Sequence, residues 1–178
     1  MRYAAFLRGI NVGGNKKVPM ADLRTVVEGL GHTDVATLLQ SGNVVFSSSR
    51  KSGAAMAAEL EKAIANHIGV ECRVLVRTSS ELEAAVRNNP MPEALGEPSR
   101  FHCCFLEKAP TPDRVSALES EDFAPDELAF GDDVLYVWYR DGVQESKLAK
   151  VLDRRLGVAV TARNWNTVTK VLDQMGSA

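Results

Sequence analysis

Hydrophobic and polar positions along the first half of the chain follow two periods, which predict alternating strands and helices. Short, mostly apolar runs are typical of buried strands, and apolar residues that recur every three or four positions are typical of amphipathic helices. The predicted elements are a strand at 2–10, a helix at 19–31, two strands around a tight turn at Ser41-Gly42, a helix at 53–69, a strand at 70–78 and a short helix at 79–90. The order β-α-β-β-α-β is that of a ferredoxin-like unit.

A polar segment at 88–99, "NNPMPEALGEPS", separates this half from a second one in which the element order repeats. Its three prolines and lack of periodicity predict a linker. After it we predict a strand, a helix, a hairpin around Asp132-Asp133, a helix ending at Gly157, a short strand and a final helix. The sequence therefore predicts an α+β fold of two ferredoxin-like βαββαβ halves, residues 1–90 and 98–178, packed as one compact unit. Each half would be an antiparallel sheet with its helices on one face.

The expected order of strands in the first sheet, 4-1-3-2, brings together polar loops that are distant in the chain. The loop after the first strand and the turn between the second and third strands then lie at one end of the sheet, on neighbouring strands. Arg8 and Asn43 are therefore expected at the same end of adjacent strands. By the same argument, Lys147 and Arg163 share an end of the second sheet.

The composition is ordinary for a globular protein, with 45% hydrophobic and 25% charged residues. The formal net charge is -2, so we expect no overall attraction to nucleic acid or to a membrane. No apolar run approaches the ~20 residues of a membrane-spanning helix, and we expect no signal peptide. Three cysteines without Cys/His metal spacing predict reduced thiols in a cytoplasmic protein and no metal site.

The stretch "RGINVGGNKKVPM", from Arg8 to Met20, raises the question of phosphate binding. It is not a P-loop, because that motif needs a lysine directly after its second glycine and then Ser or Thr, and it lacks the G-x-G-x-x-G of a dinucleotide site. Consecutive glycines such as Gly13 and Gly14 can still turn backbone N–H groups inward to bind an anion, with Arg8 and Lys16 as countercharges. The alternative is a flexible connection with solvated lysines.

Two short runs, "QSGN" and "ESKLAK", carry side chains that suit either a folding or a ligand-binding role. The amides of Gln40 and Asn43 flank a turn glycine, and they either bond the backbone of the turn or hold a ligand beside Arg8. Ser146 suits the N-cap of the next helix, which leaves Lys147 in a first turn where the helix dipole disfavours a cation. This unfavourable position indicates a ligand-binding role for Lys147. The alternative is that Lys147 is simply solvated.

The run "TARNWNTV" stands at the start of the final predicted helix. Asn164 suits its N-cap, and Trp165 suits a packing role. Arg163, Trp165 and Asn166 can also form a stacking and hydrogen-bonding surface for a base or ring. The sequence leaves both interpretations open.

Taken together, "LRGINVGG", "KVPM", "QSGNVVF", "SKL" and "TARNWNTV" closely resemble the bacterial domain-of-unknown-function family 1697, over nearly the whole chain. The resemblance implies a duplicated ferredoxin-like α+β fold and assigns no activity or catalytic residue. The motif positions to test are Arg8, Gly9, Asn11, Gly13, Gly14, Gln40, Ser41, Gly42, Asn43, Ser146, Lys147, Arg163, Asn164, Trp165 and Asn166.

The function predicted from these residues is the binding of a small anionic ligand, a nucleotide or a phosphorylated metabolite, at the glycine-rich loop. Arg8, Lys16 and the Gly13-Gly14 backbone would hold the anion, and amides including those of Gln40, Asn43 and Asn166 would orient it. One alternative is a nucleic-acid-binding module that stacks bases on the strand aromatics of "VLYVWY". Another is a protein–protein adaptor. The sequence assigns no catalytic residue, cofactor or oligomeric state.

Overall fold

The computed structural model describes residues 1–176, and over that range the fold is α+β with two four-stranded antiparallel sheets. The chain divides into two units. The first contains Met1–Glu83 and the C-terminal segment from Lys170, and the second contains Ala84–Thr169.

The first unit contains the first sheet, in the predicted order β2-β3-β1-β4. Its elements are β1 (Arg2–Arg8), α1 (Met20–Gly29), β2 (Thr33–Leu38), β3 (Asn43–Ser47), α2 (Gly53–Ile68) and β4 (Arg73–Thr78). Every second residue of the central strands, such as Ala5 and Leu7 of β1, packs in one cluster with buried residues of α1 and α2. This alternation is the period-2 geometry of a strand with a helix-covered face.

The second helix of the first unit begins and ends at residues suited to those positions. α2 begins after Ser52, whose hydroxyl accepts a hydrogen bond from the Ala55 amide, and ends at Gly69 with a left-handed φ of 77°. The pattern predicts a buried stripe of Met56, Leu60, Ile64 and Ile68. The first three are buried, and Ile68 is partly buried against the same cluster.

The second unit contains the second sheet, whose order β6-β7-β5-β8 corresponds to that of the first. Its elements are β5 (Phe101–Leu106), α4 (Pro112–Ser120), β6 (Glu127–Phe130), β7 (Val134–Trp138), α5 (Lys147–Leu156) and β8 (Val160–Asn164). Leu148, Leu152 and Leu156 of α5 are buried in one cluster with alternate strand residues such as Leu135 and Val137. Two more helices, α3 (Ser79–Arg87) and α6 (Trp165–Gly176), follow β4 and β8.

The segment predicted as a linker between the two halves contains folded structure. It contains a 3-10 helix, Pro92–Gly96, and both Met91 and Ala94 are buried. The side chain of Asn89 accepts a hydrogen bond from the Met91 amide at 2.8 Å. A single 3-10 turn is too short to produce a hydrophobic period, so the pattern gave no signal.

Arg2 holds the first unit together over a long stretch of sequence. Its guanidinium Nη1 donates to the backbone oxygen of Asp34 at 3.0 Å, and its Nη2 donates to the backbone oxygen of Gln174 at 3.2 Å. This contact links the end of α6 to the first unit, with which that segment groups.

Two further properties hold for residues 1–176. None of their helices combines the length and apolar character that crossing a membrane requires. Among them there is also no cluster of three or more His, Cys, Asp or Glu side chains arranged to hold a metal ion.

Candidate functional site

The glycine-rich loop after β1 forms a small hairpin. The Asn11 amide donates to the Lys16 carbonyl, and the Asn15 amide donates to the Val12 carbonyl, each at 3.1 Å. Gly13 and Gly14 lie between them with φ values of 59° and 78°. Two successive positive φ angles are the mark of a type I′ turn, which glycine adopts without strain. The glycine pair therefore has a structural role in the turn.

Asn11 joins this hairpin to the next loop. Its Nδ2 donates to the carbonyl oxygens of Val18, at 3.1 Å, and Gln40, at 2.7 Å. Its Oδ1 accepts from the Val18 amide at 2.8 Å. The predicted proximity of "RGINVGGNKK" and "QSGN" is therefore confirmed, and one side chain bridges the two segments.

The β2–β3 turn is fixed from within. Asn43 is buried, and its Nδ2 donates to the Leu38 carbonyl at 2.8 Å and to Ser41 Oγ at 3.0 Å. Gly42 has φ 82°, and a Cβ there would lie 2.6 Å from Ile10 Cδ1. Asn43 therefore stabilises the turn, while Gln40 and Ser41 remain exposed on it.

A cleft of about 590 Å³ opens where β1 ends and β4 begins. It lies within the first unit, beside the glycine-rich hairpin. Its lining residues are Arg8, Gly9, Lys16, Glu61, Lys62, Ala65, Glu71, Cys72 and Arg73. Two of the predicted ligand-binding residues, Arg8 and Lys16, thus share a cavity of the size that small-molecule sites have in proteins.

The lining of the cleft carries an excess of positive charge. Arg8 of β1 and Arg73 of β4 are register partners on neighbouring antiparallel strands, so their side chains project from the same face. Like charges directly opposite each other on a sheet are unfavourable. Lys16 and Lys62 bring the number of cationic side chains in the lining to four. Glu61 and Glu71 are the acidic side chains in it, so two positive charges remain in excess.

Glu61 contacts the first two residues of β4. Its Oε1 accepts a hydrogen bond from the Val74 amide at 2.8 Å, and its Oε2 lies 3.6 Å from Arg73 Nη1. Because the Arg73 side chain is 60% exposed, this ion pair contributes little stability. Its effect is to restrict the position of the guanidinium beside the cleft.

Cys72 is a neutral thiol in the cleft wall. Burial, reinforced by the Glu61 carboxylate and opposed by Lys16, raises the pKa of Cys72 to about 11. The thiolate is the nucleophilic form of cysteine, so this residue is poorly suited to covalent chemistry at neutral pH.

Three of the predicted residues of the second unit have identifiable structural roles. The Ser146 hydroxyl accepts from the Ala149 amide at 2.9 Å and caps α5. Asn164 Oδ1 accepts from the Thr167 amide at 2.9 Å and caps the start of α6. Trp165 stacks on Phe101 with ring centroids 5.2 Å apart.

β7 and β8 end at the same end of the second sheet, as predicted, on either side of β5. Trp138 of β7 is paired with Phe101, and Asn164 of β8 is paired with His102, so both strands end beside the start of β5. Near this end, burial lowers the pKa of Arg163 to about 10, and its Nη1 donates to the Ala162 carbonyl at 2.9 Å. Lys147 and Asn166 are exposed.

The strand aromatics considered for base stacking are buried. Tyr136, Trp138 and Tyr139 are 1%, 7% and 2% exposed. The Tyr136 hydroxyl donates to the Ala85 carbonyl at 2.7 Å, and the Arg140 guanidinium covers the Trp138 ring at 3.7 Å from its centroid. These rings therefore do not present the open faces that stacking with bases requires.

A family model described as "Protein of unknown function (DUF1697)" matches residues 1–136. The chain belongs to this family. A solved structure of a conserved bacterial protein from Streptococcus pneumoniae is similar to it, with a TM-score of 0.78 and 28% identity over 98% of each chain. An unknown protein from Galdieria sulphuraria shares 14% identity over 92% of this chain and 96% of its own, at a TM-score of 0.24. The search of curated proteins gave no match.

Within the DUF1697 match, the sequence interpretation missed the cleft residues on α2 and at the start of β4. Lys62 and Glu61 lie on the polar side of a helix whose apolar stripe identifies only its buried face. Arg73 could have been found from the sequence, because the order 4-1-3-2 pairs the end of the first strand with the start of the fourth. Arg8 stands at the end of the first strand, so this pairing predicts that Arg73 lies opposite it.

Proposed function

We propose that this protein binds a small anionic ligand, a nucleotide or a phosphorylated metabolite, in the cleft between the end of β1 and the start of β4. The observation that carries the proposal is the cross-strand pair of Arg8 and Arg73 in a cleft that Lys16 and Lys62 also line. A bound anion offsets the repulsion between the two guanidinium groups. Arginine pairs of this kind suit phosphate and carboxylate oxygens, which accept two parallel hydrogen bonds from one guanidinium.

The backbone of Lys16 supports the proposal independently. Its φ is 48°, a left-handed conformation that is uncommon outside glycine and asparagine. Such a conformation persists where the surrounding structure imposes it, and it is frequent at ligand sites. Here the hydrogen bond from the Asn11 amide to the Lys16 carbonyl holds the residue at the cleft.

In this proposal Arg8, Lys16 and Arg73 contact the anion, and Asn11 and Asn43 hold the two loops in place. Contacts of the ligand with the remaining predicted residues are still predictions. Those residues are Gly13, Gly14, Gln40, Ser41, Ser146, Lys147, Arg163, Asn164, Trp165 and Asn166.

A thermal-shift panel of nucleotides, sugar phosphates and inorganic anions tests the proposal. A ligand at a hundred times its dissociation constant adds about 2.7 kcal/mol, which raises the Tm of a chain of this length by roughly 5–10 °C. The shift should be lost in the double variant Arg8→Gln, Lys16→Ala. It should persist in Lys17→Ala, because Lys17 is exposed next to Lys16 but does not line the cleft. No shift of the folded wild type with any anion would contradict the proposal.

We also infer that the two sheets are two ferredoxin-like βαββαβ units, residues 1–90 and 98–178, related by duplication. The shared strand order supports this, as does a helix between the first and second and between the third and fourth strands of each sheet. A different strand order in either sheet of a crystal structure would contradict the duplication.

We also infer a cytosolic location, which is supported by three free, buried cysteines.

A protein–protein adaptor is the second candidate function, and exposed aliphatic residues favour it. Val12 is 68% exposed at the hairpin tip, and Leu39 is 50% exposed with a left-handed φ of 59°. The Asn11–Gln40 hydrogen bond ties their loops together. If this surface binds a partner, a protein that co-purifies with the wild type should be lost from the variant Val12→Ser, Leu39→Ser. Retention of the same partner by the variant would contradict an adaptor role for this surface.

A further inference from the structure

We propose that the cleft selects the dianion of a phosphate monoester over a monoanion of the same shape, an inference that rests on the proposed function. The lining of the cleft provides the first argument. Arg8, Lys16, Lys62 and Arg73 line the cleft together with two carboxylates, Glu61 and Glu71, which leaves an excess of two positive charges. A phosphate monoester carries close to two negative charges at neutral pH, whereas a sulfate ester, a carboxylate or an internal phosphodiester carries one.

The arrangement of donors provides the second argument. Residues directly opposite on neighbouring strands have Cβ atoms about 4.5–5.5 Å apart, so Arg8 and Arg73 can reach the same group. Lys16 approaches from the hairpin and supplies a third donor. A phosphate monoester has three terminal oxygens, one for each of these cations, whereas a phosphodiester has two. The three donors therefore match the monoester in number as well as in charge.

The volume of the cleft limits the rest of the ligand. At about 590 Å³ it is larger than a bare phosphate requires and falls within the range of sites that enclose a small organic molecule. Ala65 and the neutral thiol of Cys72 give the wall its less polar part. A monoester with a compact organic group fits these properties, and the interior of a polynucleotide does not.

Calorimetric titration with phenyl phosphate and phenyl sulfate tests the selection, because the two probes differ in charge and hardly in shape. At pH 7.5 we expect phenyl phosphate to bind at least tenfold more tightly. Since the second pKa of a phosphate ester lies near 6, its affinity should fall about fourfold at pH 5.5. The affinity for phenyl sulfate should not fall. Both probes meet the same charged and titratable groups, namely Arg8, Lys16, Glu61, Lys62, Glu71, Cys72 and Arg73, so titration of the protein would change both.

Variants connect the selection to the named cations. Arg73→Gln and Lys16→Ala should each reduce the preference for phenyl phosphate severalfold, with circular dichroism showing that the variants are folded. Lys17→Ala should keep the wild-type preference. Equal affinity for the two probes would overturn the dianion inference and leave anion binding intact. Binding of neither probe, by a folded protein, would overturn both this inference and the proposed function.

Discussion

At the scale of single residues, Asn11 shows how one side chain determines the shape of a loop. It makes three hydrogen bonds to backbone groups, two of them to Val18 and one to Gln40. Its φ of 54° is a left-handed value that asparagine tolerates better than most residues. Asn11 therefore fixes both the hairpin that carries Lys16 and the spacing to the next turn.

Replacing Asn11 with Ala should lower the free energy of unfolding by about 1–3 kcal/mol, because it removes the partners of partly buried backbone groups. Anion binding should weaken at the same time, since the hairpin is no longer held at the cleft. Urea denaturation and calorimetric titration measure the two effects. Asn15→Ala is the matched control, because Asn15 is an exposed residue of the same hairpin. A denaturation midpoint of Asn11→Ala equal to that of the wild type would show that the hydrogen bonds of the Asn11 side chain do not stabilise the protein.

His32 gives the protein a dependence of stability on pH. It is 4% exposed and packs on Phe46 with ring centroids 4.6 Å apart. Burial, with a smaller contribution from Arg50, lowers the pKa of His32 below its ordinary value of 6.5. The unfolded chain therefore binds a proton more readily than the folded one, and stability falls as the pH drops below about 6.5.

His32→Leu should flatten this dependence. The difference between the free energies of unfolding at pH 7.5 and pH 5.5, measured in urea, should be smaller in the variant than in the wild type. Part of the slope should remain, because burial also lowers the pKa of His102. An equal difference in both proteins would mean that the pKa of His32 is the same in the folded and unfolded states.

At the scale of secondary-structure elements, the sequence predicted what depends on local period and missed what depends on packing. The buried stripe of α2 through Leu60 and Ile64 followed from spacing. The hairpin around Gly13 did not, because a type I′ turn leaves no hydrophobic signal. The convergence of Lys62 and Arg73 on one cleft was also missed, since the pattern does not tell which exposed residues meet.

Gly157, at the end of α5, shows a close approach that only the packing reveals. Its φ is 66°, and a Cβ there would lie 2.8 Å from Arg114 Cζ. Arg114 Nη1 donates to the carbonyl oxygens of Arg154 and Arg155, at 3.2 and 3.0 Å, and so satisfies the C-terminus of the helix.

Gly157→Ala should therefore destabilise the protein twice over, through left-handed backbone strain and through displacement of Arg114. A loss of about 1–3 kcal/mol is expected in thermal or urea unfolding. Gly69→Ala is the matched control, because Gly69 ends α2 with φ 77° but has open space around its missing Cβ. Its loss should be the smaller of the two. If both variants lost the same free energy, the contact with Arg114 would contribute nothing.

At the scale of the whole molecule, the order of elements predicted both sheets, but one long-range contact lay beyond the sequence. The bond between Arg2 and Gln174 joins residues 172 positions apart and uses a backbone carbonyl as acceptor. Every residue has a backbone carbonyl, so the identity of residue 174 does not show that its carbonyl accepts this hydrogen bond. This link between the C-terminal segment and the first unit could therefore not be predicted.

Arg2→Ala should release the end of α6 from this attachment. Because the bonds of Arg2 are made by a charged donor, the loss should be about 1–3 kcal/mol. Amide hydrogen exchange should accelerate most at residues 170–176, where Arg2 donates to the Gln174 carbonyl, and less in α1. Arg24→Ala, at an exposed position of α1, should leave exchange at 170–176 unchanged. Unchanged protection of that segment in Arg2→Ala would mean that other contacts attach it to the first unit.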